Sequence, residues 1–287
     1  MKIKQIPEDF IVNEVLKLQV SNGDYNYYLL KKTNRNTLDV VKHLKNKGFK
    51  VGYAGLKDKN AVTTQYISVF RKRISFQMEN VELKYLGSGR NQIFVGQLEG
   101  NEFIITIRDL DERLNDVKEV INYFGEQRFS WQNVELGRSI VKRDFKDVCK
   151  RLELEVQRND YVNAMRAFGV KKLKFFVHAY QSYLWNEVVK GVEKKGKLSI
   201  FGFLTKDERY SEILKKEKLD RKDFIIKQIP ELSSEGSERE ILMHVKGFKT
   251  LEFSDDELNK GKKKQVVKFY LPKGCYATVV VESLLNN

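Results

Sequence analysis

Strand-like runs stand at both ends of this chain, and a basic, helix-patterned stretch separates them, which argues against a regularly alternating strand–helix fold. Residues 10–20 and 25–31 alternate as half-buried strands do, and residues 66–70 repeat the pattern. Between them, Asn36 or Thr37 offers a cap for a helix with Leu38, Val41 and Leu44 on one stripe and Gly48 at its end. Residues 93–98 and 102–108 flank Glu99-Gly100-Asn101 as a hairpin would. Leu114, Val117, Ile121 and Phe124 carry helical spacing up to Gly125, and residues 145–156, 159–168 and 173–195 do the same further on. Two more strands, 266–271 and 276–281, are predicted around Pro272-Lys273-Gly274. The expected fold class is α+β, with a mixed, largely antiparallel sheet flanked by helices. Residues 1–132 and 238–287 would build it, around a mostly helical insertion at 133–237.

Charge narrows the partners. Lys and Arg number 53 against 39 Asp and Glu, a formal charge of +14, which favours RNA, DNA or an anionic membrane. No apolar run is long enough to span a bilayer and the N-terminus does not read as a signal peptide, so a cytoplasmic protein without a membrane partner is expected. Two isolated cysteines, Cys149 and Cys275, form no disulfide framework. Gly87-Ser88-Gly89 opens like a dinucleotide loop, but Gln92 stands where the third glycine belongs. Gly261-Lys262 lacks the rest of a phosphate loop. With no CxxC, HExxH or histidine cluster, neither a structural zinc nor a metal-hydrolase site is expected. His178 lies in a helix rich in aromatics and reads as structural.

One segment points to chemistry. In Ala54-Gly55-Leu56-Lys57-Asp58-Lys59-Asn60-Ala61, a carboxylate stands between two lysines in a loop. The neighbouring ammonium groups favour its charged form, so Asp58 is available as a nucleophile or base. An aspartate in such a loop also serves as an ordinary turn residue. Phe103, just past the Gly100-Asn101 turn, is either a core ring or a platform for an extruded base. Asn101 is either a turn residue or an amide that reads a pyrimidine edge. The runs at 71–73 and 171–174 are phosphate contacts or solvated faces.

The Asp58 segment closely resembles the signature of the TruD family of pseudouridine synthases. Lys4 with Pro7-Glu8-Asp9-Phe10 and Val12-Asn13-Glu14 is similar to that family's N-terminal motif. Gly100-Asn101-Glu102-Phe103 resembles its Gly-Asn-x-Phe hairpin, and Asn122-Tyr123-Phe124-Gly125-Glu126-Gln127-Arg128-Phe129 resembles a third signature. Phe269-Tyr270-Leu271-Pro272-Lys273-Gly274-Cys275-Tyr276-Ala277-Thr278 resembles its C-terminal strand motif, and the middle of the chain matches patchily at Ala179-Tyr180-Gln181-Ser182.

The resemblance implies a pseudouridine-synthase core with a family-specific insertion. It also implies isomerisation of uridine in RNA, most often at position 13 of tRNA, without cofactor or metal; no obligate protein partner is evident in the sequence. By position Asp58 is the catalytic aspartate. Phe10, Asn101 and Tyr276 match the uridine pocket, with Lys4, Lys57 and Phe103 as neighbouring substrate-binding candidates. The chain departs from the family at Tyr276, where phenylalanine is frequent, at Ser130-Trp131, at Glu238-Arg239, and in a shorter insertion. A non-catalytic RNA-binding protein that keeps the fold is the rival reading.

Overall fold

The computed structural model describes residues 1–75, 77–129 and 131–285, which leaves Ser130 outside the described residues. It divides into two compact units, 1–120 with 244–287 and 121–243. The first unit begins with strands β1 (Phe10–Val15), β2 (Tyr25–Thr33), β3 (Val51–Tyr53), β4 (Val62–Phe70), β5 (Val81–Gly89) and β6 (Gly100–Leu110). Helix α1 (Thr37–Asn46) lies between β2 and β3. The chain leaves through β7 (Glu119–Ile121) and forms helices α2 (Trp131–Val141), α3 (Phe145–Arg151), α4 (Tyr161–Phe168), α5 (Val170–Val189) and α6 (Ser211–Glu217). Short strands β8 (Lys197–Ile200) and β9 (Ser237–Glu240) belong to the same stretch. After β10 (Leu242–His244) it returns as β11 (Lys246–Asp255), β12 (Lys263–Pro272) and helix α7 (Ala277–Ser283). The second unit is wider at both ends than the 133–237 insertion read from the sequence.

The sheet of the first unit runs β11-β12-β6-β1-β4-β2-β5, with β3 beside β4. Neighbours are antiparallel except β1 and β4, which run parallel, so the expected α+β class holds. Register puts Phe10 opposite Ile105, Val12 opposite Phe103 and Glu14 opposite Asn101. It also puts Thr63 beside Val12 on one side and Lys32 on the other. Register partners share a face, so Lys32, Thr63, Val12 and Phe103 lie in one row across the sheet. Helix α1 covers part of this face with Val40, Val41 and Leu44 against Tyr28, Leu30, Ile67 and Val69. Each such buried aliphatic side chain contributes about 1.5–3 kcal/mol.

Three predicted elements differ. Residues 93–98 form a loop, because Ile93 turns inward and donates its N–H to Ser68 Oγ at 2.9 Å, while Gly96 adopts φ +91° and bonds Ala54. Residues 114–118 are not helical. The Gln265 side chain takes both the N–H of Leu114, at 2.8 Å, and its carbonyl, at 3.1 Å, which holds the segment away from helical pairing. The run 276–281 is helix α7 and not a strand: β6 and β11 already occupy both edges of β12, and Gly274 at φ +84° turns the chain off the sheet. Burial of Val279, Val280 and Val281 outweighs their β propensity.

In the second unit the side chains of Asp144 and Asp160 cap α3 and α4 by accepting the N–H groups of Asp147 and Asn163. Helix α2 lies close on α5 at Gly137. A β-carbon there would meet Phe176 O at 2.1 Å, so only glycine permits the approach.

Candidate active site

The Asp58 loop joins β3 to β4 and is held by polar side chains of the sheet and of the first turn of α1. Gln65 Nε2 donates to Gly55 O at 3.1 Å, Thr37 Oγ1 donates to Gln65 Oε1 at 2.8 Å, and Lys57 N donates to Thr37 Oγ1 at 3.1 Å. Lys32, fully buried on β2, donates from Nζ to the carbonyl of Asp58 at 2.7 Å and to that of Lys57 at 3.4 Å. Burial pushes this ammonium down to about 8, with Asp58 drawing it up and Lys57 pressing it further down. A buried cation bound to main-chain oxygens thus fixes the backbone at the residue carrying the carboxylate.

The flanking lysines do not act as sequence proximity suggests. Lys57 turns inward and pairs with Glu14, whose other oxygen accepts the N–H of Tyr66 at 3.0 Å. Both side chains are buried, so the Lys57 ammonium is committed to the protein. The cation at Asp58 is Lys4, whose Nζ lies 2.7 Å from Oδ2. Lys4 has φ 57°, a conformation that costs a non-glycine residue about 1–3 kcal/mol. Its ammonium also lies 4.0 Å from the centroid of the Phe10 ring, so ion pair and ring together orient it. Asp58 remains 35% exposed, enough for a substrate to reach its carboxylate.

Beneath lies an aromatic row. Phe10 meets Phe103 edge-on at 6.0 Å, Phe103 stacks on Phe269 at 5.5 Å, and Phe269 stacks on Phe248 at 5.9 Å. Phe10 and Phe103 are buried, so in this conformation they form a floor and offer no free ring face. Asn101 stands beside Glu14 on the same face, and its Oδ1 is buried without a hydrogen-bond partner among the described residues. A buried carbonyl left so costs about 1–3 kcal/mol, which a donor on a bound molecule would recover. Tyr276 is half-buried at the N-cap of α7, just past Leu271, the register partner of Asn101. Lys4, Phe10, Phe103 and Asp58 are therefore linked by direct contacts. Asn101 and Lys57 join them through Glu14, and Tyr276 through chain connection to β12.

Two residues escaped the sequence reading. Lys32 is an unremarkable polar position in a strand. Arg108 is fully committed: Nε donates to Asp9 Oδ1 at 2.8 Å, Nη1 to Asp256 Oδ1 at 2.8 Å and Nη2 to Glu257 Oε1 at 2.9 Å. It ties the Pro7–Asp9 turn, and so the approach of Lys4, to the sheet. No local pattern marks either residue, because their partners are distant in sequence. Among the described residues no three His, Cys, Asp or Glu side chains are grouped to hold a metal ion, and no helix is long and apolar enough to cross a membrane.

The role of Lys32 is open to test. We expect Lys32→Met to lower turnover by about 10²-fold through misplacement of Asp58 while leaving RNA affinity within about threefold. Wild-type turnover should decline as pH rises through about 8, where Lys32 loses its proton, and that limb should vanish in the variant. The stability sign is opposite. Lys32 binds its proton less tightly folded than unfolded, so its contribution to stability grows as pH rises from about 8 toward 10.5. Undiminished turnover in Lys32→Met would exclude the positioning role.

Known proteins are similar to this chain over nearly its whole length. The family model described as tRNA pseudouridine synthase D (TruD) matches residues 1–155, 150–201 and 195–284. The chain is 29% identical to the Probable tRNA pseudouridine synthase D 2 of Methanocaldococcus jannaschii, covering 98% of this chain and 91% of that protein. It is 33% identical to the tRNA pseudouridine synthase D of Aquifex aeolicus over 65% of each. The M. jannaschii alignment extends over 387 positions, so that protein carries segments absent from these 287 residues. The crystal structure of the Methanosarcina mazei TruD matches with a TM-score of 0.76 at 24% identity, covering 99% of this chain and 93% of that one, which shows the shared fold. The match reaches both compact units, and the chain belongs to the tRNA pseudouridine synthase D (TruD) family.

Proposed function

We propose that this protein isomerises uridine to pseudouridine in tRNA, with Asp58 as the catalytic carboxylate. The observation that carries this reading is the way Asp58 is held: its backbone is fixed by a buried ammonium, its carboxylate is paired with Lys4, and it stays accessible. A protein that only binds RNA has no need to clamp one aspartate so closely.

The target nucleotide leaves its stack to reach the carboxylate. Asp58 acts as an anion, either by attacking the nucleoside or by removing a sugar proton, and the bond from N1 to C1′ breaks. The uracil turns in place and C5 bonds to C1′, as the bond to Asp58 breaks in the first case or Asp58 returns the sugar proton in the second. C5 loses its proton and N1 gains one, so atoms balance without a co-reactant. Lys4 pairs with Asp58 and orients its carboxylate. Phe10 and Phe103 give the detached base an apolar floor, Tyr276 stands at its rim, and Asn101 Oδ1 accepts from the uracil N3–H. Lys57 serves indirectly through Glu14. The basic runs at 71–73 and 171–174 contact phosphates, giving affinity that falls steeply with salt. Position 13 of tRNA is the expected target, and the 121–243 unit is the family-specific insertion that accompanies the core.

Incubating unmodified tRNA with the protein and mapping pseudouridine by chemical labelling tests this reading. One new pseudouridine, at a single site in the D arm, is expected. No new pseudouridine in any tRNA would overturn it.

A further inference from the structure

The second unit contains a cavity of about 230 Å³ whose described lining holds an arginine and no carboxylate. Helix α5 builds one wall. Lys174, His178 and Ser182 recur at spacing of four and so share a face of that helix, with His178 and Ser182 lining the space. Arg128 enters from the other side and donates from Nη1 to Ser182 Oγ at 3.1 Å, while that hydroxyl donates to His178 O at 2.7 Å. A guanidinium carries five N–H donors in a planar fork, so Arg128 has capacity beyond this bond. Ser234 and Ser237 add hydroxyls, and Ser234 is held by Gln181 Nε2 at 2.8 Å.

The lining selects among anionic groups and bases. Phe124 is the aromatic ring in the wall besides the imidazole, and its surroundings are occupied. Arg239 lies 4.1 Å over its face, Arg128 lies 5.3 Å from its centroid, and Trp185 meets it edge-on at 5.6 Å. It therefore cannot serve as a platform for a stacked base. Burial, with Arg128 and Lys174 nearby, lowers the His178 imidazole, which leaves it a neutral donor. A fork of N–H donors, a neutral imidazole and the hydroxyls of Ser234 and Ser237, in a described lining free of carboxylates, suit a tetrahedral oxyanion.

We propose that this cavity binds a phosphate group and that, on the reading of the protein as a tRNA isomerase, this is a backbone phosphodiester of the RNA. The cavity is a contact for affinity, with no part in the chemistry at Asp58. Two variants test it: Arg128→Gln, which removes the charge, and Ser237→Asp, at an exposed position, which brings a carboxylate to the lining. Each should weaken tRNA binding about tenfold in low salt and reduce the slope of log affinity against log salt by about one. Turnover at saturating tRNA should stay within about twofold of wild type. Inorganic phosphate should raise the melting temperature of wild type and fail to do so in Ser237→Asp.

Unchanged tRNA affinity and salt slope in the folded variants, with no phosphate effect on wild-type melting, would overturn the site. Phosphate protection with unchanged tRNA affinity would overturn the RNA assignment and leave a free-phosphate site. If Arg128→Gln does not fold, Ser237→Asp carries the test alone. Absence of pseudouridine even with wild type would count against the isomerase reading instead, so the two failures are distinguishable.

Discussion

Asp58→Asn should abolish isomerisation, by roughly 10⁴-fold or more, while the protein binds tRNA as before. The substitution keeps size and hydrogen-bonding shape and removes only the negative charge. The loop should hold, since its supports act on main-chain atoms and on neighbouring side chains: Lys32 on the carbonyls of residues 57 and 58, Gln65 on Gly55, Thr37 on Lys57 N. Lys4 loses its counter-ion and keeps the ring of Phe10 beneath it. The amide is neither a general base nor a strong nucleophile at any pH used for the assay, so no pH should restore activity. Release of tritium from 5-labelled uridine in tRNA measures turnover, and filter binding measures affinity. Turnover near wild type would remove Asp58 from the mechanism. Lost affinity with lost turnover would instead show that the substitution disturbed the fold.

Arg108→Met should be the most destabilising single change, by about 3–5 kcal/mol, because removing one partner leaves buried charges uncompensated. Asp9 and Asp256 are both buried at the guanidinium, and Glu257 completes the set from the surface. The Asp256 carboxyl is held well below the usual range. Burial opposes its charge, but bonds from the N–H of Asp109, from Asn259 and from Arg108 outweigh that cost. At about 2–4 °C per kcal/mol for a unit of this size, the melting temperature should fall by roughly 6–20 °C. The same network sets an acid limit. Bonds from Arg108 and Lys264 depress Glu257 to about 2 from an unfolded value of 4.5. Its contribution is therefore complete above about 4.5 and is lost as pH falls toward 2. Denaturant titrations of wild type between pH 6 and 3 should show this decline, and Arg108→Met should flatten it. Unfolding midpoints that coincide for the two proteins would show that the cluster does not hold the first unit together.

Elements that bury a stripe were legible from the sequence. Helix α1 is legible in Val41, Leu44 and Gly48, although Leu38 of the expected stripe is exposed, and strands β2 and β4 are legible because each presents a regular apolar face to one core. The edge strands β5 and β11 were not read. Val81-Glu82-Leu83-Lys84-Tyr85 in β5 does alternate, but the run is short and half-exposed, and Lys246–Asp255 in β11 has no regular apolar period. The apolar runs at 114–124 and 276–281 misled for the converse reason. Their burial is real, but the backbone path was set by Gln265 in one case and by the filled edges of β12 in the other.

The α+β class, the loop that carries Asp58 and an excess of positive charge suited to a polyanion are all legible in the chain alone, because hydrophobic period, loop composition and net charge are local or additive. Which cation attends that carboxylate was decided only by tertiary structure. Lys4 and Asp58 are separated by 54 positions, and the neighbouring Lys57 is drawn away to Glu14 across 43. Ion pairs depend on distance through space, and folding assigned that distance by pairing β1 with β4 at the centre of the sheet.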